Sequence, residues 1–299
     1  MAQTVLITGC SSGVGRAASR AFLADGWTVY ATARDPDELT ALGEAGAETA
    51  RLDVTSTDDV EEVVGRIDDA EGHLDCLVNN AGFGQMGPTE DVRAEKVREQ
   101  YDVNVFGPHR LMRAVIPRMR ERGSGTILNV TSITARFPLA GSGVYSGSKA
   151  ALDAATRAVR QEVEDQGVDV VAVEPTTVST DFYDRVRDEL VDVDHGGSYA
   201  DLYEVLELLH TVESGGFGIS SPEDVAETML RAANSDDPDG RYEVGWPAKA
   251  GGVAAAVLPP SVVTAALDAG VGIAASWPAR RVLQWWFARH HRASELQRR

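Results

Sequence analysis

Tyr145 and Lys149 stand four residues apart in the stretch GVYSGSKAAL. On a helix that spacing puts the phenol and the ammonium one turn apart on one face, close enough for the cation to act on the phenol. An unperturbed phenol titrates near about 10 and is a poor base at neutral pH. One close positive charge favours the phenolate by about 1–3 pKa units, which makes the tyrosine a usable proton donor and acceptor. Lysine is scarce here: Lys96, Lys149 and Lys249 are the only three among 28 Lys and Arg side chains. A lysine spent one turn after a tyrosine therefore reads as a chemical device.

Such a device needs a scaffold, and the hydrophobic pattern supplies one. Apolar strand-like runs occur at Thr4 to Thr8, Thr28 to Ala33, Thr49 to Val54, Leu74 to Asn80, Gly125 to Ser132, Val168 to Pro175 and Arg241 to Gly245. Between them, segments such as Asp58 to Gly72 and Ala150 to Gly167 repeat apolar residues at helical spacing. Strands that are apolar on both faces and alternate with helices predict an α/β fold: a Rossmann-like, doubly wound parallel sheet of about seven strands with helices on both faces. The first run enters TGCSSGVGRA, where Gly9, Gly13 and Gly15 open a helix. Glycines there allow a tight turn and a close backbone approach, and the helix N-terminus offers unpaired N–H groups to a pyrophosphate. Following directly on the first strand of an α/β pattern, this turn predicts a dinucleotide site.

The landmarks that follow resemble the short-chain dehydrogenase/reductase superfamily. They are TGCSSGVG at Thr8 to Gly15, Asp53 with Val54, NNAG at Asn79 to Gly82, Asn104 in DVNVFG, Ser132, and YSGSK at Tyr145 to Lys149. The resemblance implies a catalytic set of Asn104, Ser132, Tyr145 and Lys149. In it Ser132 holds the substrate oxygen, Tyr145 transfers the proton, Lys149 also binds the nicotinamide ribose, and Asn104 organises a water linking Lys149 to solvent. It places the cofactor along Gly9, Ser11, Ser12, Gly13, Val14 and Gly15, then Asp53 and Val54 at the adenine, and Asn80, Ala81 and Gly82, with Tyr145 and Lys149 also among its contacts. By type alone Asp53 would equally suit a turn or helix cap, and the two asparagines would equally suit bracing the sheet. Pro175, Val178 and Thr180 are implied at the nicotinamide carboxamide, in PTTVST where the family usually has PGxVxT. Thr176 replaces the usual glycine, and a β-branched residue does not readily take positive φ, so this loop is expected to depart from the family's geometry.

The second strand ends in ATARDP, with Ala33 where NAD-dependent relatives tend to carry Asp, and then Arg34. A small neutral residue followed by a guanidinium suits a ribose 2′-phosphate, so NADP(H) is expected over NAD(H), which stays possible because of Asp35. The function expected is an NADP(H)-dependent oxidoreductase that interconverts a carbonyl and an alcohol. The alternative is a non-catalytic dinucleotide-binding or sensing protein, a type that usually lacks the Tyr or the Lys.

Length and charge set the remaining bounds. The 299 residues fit one domain over 1–250, a candidate substrate lid inserted at about 180–220, and a C-terminal extension over 251–299. Phe182, Tyr183, Leu190, Tyr199, Tyr203, Leu206 and Leu209 of the insertion are candidate lining for an apolar pocket, as in hydroxysteroid or retinol dehydrogenase-like relatives. The extension holds Trp285, Trp286 and Phe287 among arginines and is read as a basic-aromatic helix that docks on its own acidic body or a partner subunit; contact with an anionic membrane surface is the second reading. A homodimer or homotetramer is expected. Cys10 and Cys76 alone make neither a disulfide framework nor a metal site, and no secretory signal is visible at the start, so a cytoplasmic location is expected. The net charge of −18, from 46 acidic and 28 basic side chains, disfavours nucleic acid as a partner. With so few lysines the composition also resembles the proteins of salt-loving archaea and suggests adaptation to high salt, where a Debye length of about 3 Å at ~1 M screens self-repulsion; the alternative is a genome rich in arginine codons. Adaptation to salt predicts that the denaturation midpoint rises with salt, and a falling midpoint rejects it.

Overall fold

The buried strands alternate their side chains between two cores. Val5 and Ile7 of β1 (Thr4–Thr8) face one layer and Leu6 the other, and all three are fully buried. The period of two in a strand requires this alternation, and burial on both faces is what a parallel sheet covered by helices demands. The structure, a computed structural model, describes residues 2–178, 197–210, 219–246 and 248. After β1 the order is α1 (Gly13–Ala24), β2 (Thr28–Ala33), α2 (Thr40–Glu44), β3 (Glu48–Arg51), α3 (Thr57–Glu71), β4 (Cys76–Asn79), α4 (Ala94–Tyr101), α5 (Gly107–Arg122), β5 (Gly125–Val130), α6 (Gly143–Val163), β6 (Val168–Pro175), α7 (Ala200–His210), α8 (Pro222–Ala233) and β7 (Arg241–Val244).

The seven strands form one parallel sheet in the order β3-β2-β1-β4-β5-β6-β7. Phe22 of α1 and Val225 and Met229 of α8 cover one face; Val60, Val64 and Ile67 of α3 with Leu111 and Val115 of α5 cover the other. The order reverses between β1 and β4, and ligands of such sheets bind beyond the strands' carboxyl ends at that switch point.

Three expected strands, β1, β2 and β6, have the expected ends. β3 stops at Arg51 rather than Val54: Leu52 and Val54 bury their side chains in the core but lie past the ladder. α6 begins at Gly143, seven residues before the apolar pattern shows it, and so takes in both Tyr145 and Lys149. Of the expected insertion, residues 180–196 and 211–218 lie outside the described residues, as does the whole of 251–299. Among the described residues no helix is long and apolar enough to cross a membrane.

Candidate active site

Gly9 and Gly15 are required by the protein's own packing. A Cβ on Gly15 would lie 2.2 Å from the Gly9 carbonyl oxygen, and one on Gly9, whose φ is +72°, would lie 2.9 Å from Ala81 Cα. Asn80 fastens this contact: its Nδ2 donates to the carbonyls of Thr8 (2.9 Å) and Gly9 (3.1 Å), and its own N–H donates to Thr8 Oγ1 (3.0 Å). The side chain of Asn80 is therefore committed to bracing the turn. Asn79 braces the sheet in the same way, donating to Asn129 Oδ1 at 2.7 Å.

What the turn leaves for a ligand is the start of α1. Ser12 extends into the helix without a side-chain capping bond, so the first-turn N–H groups have no cap, and Ser11, Ser12, Gly13 and Val14 form a half-exposed rim. An uncapped helix N-terminus beside the strand crossover fits a pyrophosphate.

Asp53, implied at the adenine, takes the turn role that its residue type also suits. Its Oδ1 closes a turn by accepting from Thr55 N (2.9 Å) and Thr55 Oγ1 (2.7 Å), while Oδ2 accepts no bond within the described residues. Val54 buries its side chain, with Cγ2 2.8 Å from where a Cβ on Gly107 would stand. Arg34, just past β2, is exposed and makes no hydrogen bond or ion pair with the described residues. Asp35 is turned away to cap the short 3-10 turn Pro36–Leu39, accepting from Asp37 N at 3.0 Å.

Lys149 is the centre of the remaining set. It is 5% exposed, and its Nζ donates to the Val130 carbonyl at 2.8 Å, two residues before Ser132. Burial pushes its pKa down to about 8, which leaves the amine mostly protonated at neutral pH. Gly82 lies beside it: a Cβ there would be 3.5 Å from Lys149 Nζ and 3.1 Å from Asn104 Oδ1. Ser132 is 6% exposed at the end of β5, where its Oγ accepts from Thr134 N (3.2 Å) and Thr134 Oγ1 (3.0 Å). Tyr145, in the first turn of α6, packs its half-buried ring against Met86, Tyr203 and Leu206. Pro175 ends β6 and Val178 bridges to Ser220; Thr180 lies outside the described residues.

Asn104 sits in a π-helical turn, Asp102–Phe106, and is fully buried. Its Oδ1 accepts from Phe83 N (3.1 Å), and its Nδ2 donates to Phe83 O (2.9 Å) and Ser148 Oγ (3.1 Å). The amide fixes the loop after β4 against α6. Ser148 also accepts from the buried Gln100 Nε2 (3.2 Å) and donates to the Tyr145 carbonyl (2.7 Å). A Cβ on Gly147 would lie 2.8 Å from Tyr101 Oη. Gly147 and Ser148, between the tyrosine and the lysine, meet α4 and the π-helical turn, and at 147 that packing leaves no room for a Cβ. Gln100 and Ser148 carried no signal in the sequence beyond Ser148's place next to Lys149.

Thr176 is accommodated without positive φ, since every positive-φ residue among those described is a glycine. Its hydroxyl lies 3.2 Å from Ser220 Oγ, and Gly245, at φ +90°, leaves the room: a Cβ there would be 2.7 Å from Thr176 Oγ1 and 2.6 Å from Ser220 Oγ. The expected departure at this loop is thus absorbed by a neighbouring strand end. Of the candidate pocket residues, Tyr203 and Leu206 are buried beside Tyr145, with Tyr203 Oη donating to Asp91 Oδ2 at 2.7 Å, and Tyr199 packs at their edge. Phe182, Tyr183 and Leu190 lie outside the described residues, and the side chain of Leu209 is not described.

A strand, a glycine turn and an uncapped helix at the crossover of a seven-stranded parallel sheet define a Rossmann-like dinucleotide-binding protein. The family model for short chain dehydrogenases matches residues 3–190, and the chain belongs to that family. Human 17-beta-hydroxysteroid dehydrogenase type 1 is 34% identical over 258 residues, covering 81% of this chain and 77% of the relative. A short-chain dehydrogenase from Streptomyces avermitilis, of known crystal structure, is 31% identical with a TM-score of 0.73 and coverage of 93% of this chain and 96% of that one. A serine dehydrogenase in complex with NADP+ superimposes with a TM-score of 0.68 at 26% identity, over 82% of this chain and 95% of that one. The protein is therefore an NAD(P)-dependent oxidoreductase acting on a small molecule with a nicotinamide dinucleotide.

Proposed function

We propose that the protein is an NADP(H)-dependent oxidoreductase that interconverts a carbonyl and an alcohol, with Tyr145 as its proton-transfer residue. The observation that carries this reading is the buried ammonium of Lys149, held between Gly82 and Val130 one turn after Tyr145. A protonated amine at that position serves no packing purpose, since burial disfavours it, whereas it stabilises the phenolate left when a tyrosine gives up its proton.

The glycine turn and the start of α1 would hold the pyrophosphate, and Asp53 the adenine through its remaining carboxylate oxygen. When bound, NADPH supplies the hydride. Ser132 holds the carbonyl oxygen by a hydrogen bond, and Tyr145 gives that oxygen its proton and is left as a phenolate. Lys149 stabilises that phenolate until solvent returns the proton; in the reverse direction the phenolate removes the proton from the alcohol. Asn104 acts as a positioning residue through Phe83 and Ser148. The apolar side chains around Tyr145 suit an apolar substrate.

A screen following NADPH absorbance with hexanal, benzaldehyde, cyclohexanone and 2-octanone, and the matching alcohols with NADP+, tests the reading. Turnover of an aldehyde or ketone supports it, and no turnover on either panel overturns it. Arg34, exposed and without a partner among the described residues, with Asp35 engaged at the 3-10 turn, supports the choice of NADP(H). Arg34→Ala is expected to raise the Kd for NADPH about 10- to 100-fold, as loss of charge-assisted bonds of about 1.5–3 kcal/mol requires, and to change that for NADH less than threefold. Fluorescence titration reads both, and wild-type binding of NADH tighter than NADPH rejects the preference.

A further inference from the structure

Behind the Ser132 loop lies a group of charges that the mechanism above does not use. Glu174, next to last in β6, is fully buried. Its Oε1 accepts from Arg136 through both Nε (3.1 Å) and Nη2, and its Oε2 accepts from Arg241 Nη1. Arg136 also donates to Glu243 Oε1 (2.6 Å), and Arg241 to Asp153 Oδ1 (2.5 Å). Burial pushes the Glu174 carboxyl up, and the two guanidiniums oppose that shift.

Each arm of this group ends on a segment of the site. Arg136 closes the 3-10 turn Ile133–Ala135, which Ser132 caps. Asp153 is one turn beyond Lys149 on α6. Glu174 directly precedes Pro175 and the Thr176 to Val178 loop. An apolar cluster would hold the same elements together at least as firmly, because a buried ion pair adds little net stability. A carboxylate gripped by two planar guanidiniums adds direction, since each fork bonds along fixed lines.

We propose that Glu174, with Arg136 and Arg241, is a positioning residue that sets the spacing between Ser132, the Tyr145/Lys149 helix and the loop after β6. It rests on the reading that Ser132, Tyr145 and Lys149 carry the reaction. In the full chain, Arg136→Met and Glu174→Gln are expected to lower kcat per bound NADPH about tenfold on benzaldehyde, or on the panel carbonyl that the wild type turns over fastest. KM stays within threefold, and fluorescence titration finds the same number of NADPH sites per chain. A merely structural role would lower the number of sites and leave turnover per site unchanged. Arg136→Lys, which keeps a charge beside Glu174, recovers at least half of the loss on a logarithmic scale. Should Glu174→Gln fail to fold, Glu243→Gln, which lies beside Glu174 in the ladder and whose carboxylate pairs with Arg136, is expected to lower kcat about threefold. Turnover per bound NADPH within twofold of wild type in Arg136→Met and within 1.5-fold in Glu243→Gln overturns the proposal. Tyr145→Phe separates the two ideas: if it stays active, the catalytic reading fails; if it is inactive while the charge variants turn over normally, only the positioning proposal fails.

Discussion

Tyr145→Phe is expected to lower kcat and kcat/KM together by about 10³-fold, within the range that a positioned acid–base group contributes, while the Kd for NADPH changes less than threefold. The substitution keeps the ring, and the ring is what packs against Met86, Tyr203 and Leu206, so the first turn of α6 and its apolar neighbours stay in place. The proposed pyrophosphate turn, Gly9 to Gly15 braced by Asn80, lies on other elements than the phenol and keeps its geometry. Steady-state kinetics beside a fluorescence titration separates the two effects. Activity within tenfold of wild type would remove Tyr145 from the chemistry.

Lys149→Met is expected to be as inactive as the tyrosine variant, yet no less stable than the wild type in the absence of cofactor. The ammonium is buried with its pKa lowered from 10.5 to about 8, a shift that corresponds to about 3 kcal/mol of unfavourable burial at neutral pH. Methionine removes that cost, and loses in exchange the bond to the Val130 carbonyl, for which an unsatisfied buried acceptor costs about 1–3 kcal/mol. The sign of the pH dependence follows. Between about pH 8 and 10.5 the unfolded chain holds a proton at this lysine that the folded chain has lost, so wild-type stability gains from Lys149 as pH rises through that window. Below about 8 both states are protonated and the contribution is flat. Thermal unfolding of the two proteins at pH 7 and pH 9.5 checks this: the stability of Lys149→Met relative to wild type should fall by about 2 kcal/mol at the higher pH, and a large loss of stability in Lys149→Met at pH 7 would contradict it.

Local pattern made the sheet legible because burial on both faces leaves uninterrupted apolar runs, and β1, β2 and β6 end where those runs end. The start of α6 was not legible from periodicity, since Gly143, Ser146, Gly147 and Ser148 carry no apolar stripe. That turn is held by polar contacts reaching across 44 and 48 residues, from Asn104 and Gln100 to Ser148. The candidate site was legible in its residue types and their order, through the resemblance they carry. The division of labour inside it was not: that Asn80 and Asn104 spend their side chains on bracing is visible only once the partners of each amide are known. The Arg136–Glu174–Arg241 group joins residues up to 105 positions apart, and a lone Arg, Glu or Arg in sequence reads as solvated surface until the fold brings them inside.

The pairing of Thr176 with Gly245 also constrains the routes by which this loop can change. With threonine at 176, any side chain at 245 would overlap the hydroxyls of Thr176 and Ser220, besides being held at φ +90°. Glycine at 176 alone would not make room at 245, because Ser220 Oγ would still stand 2.6 Å from the new Cβ and the backbone would still have to leave the left-handed region. Three positions on separate segments, 176, 220 and 245, are thus tied together: a side chain at 245 requires both hydroxyls to move as well as a new backbone conformation there.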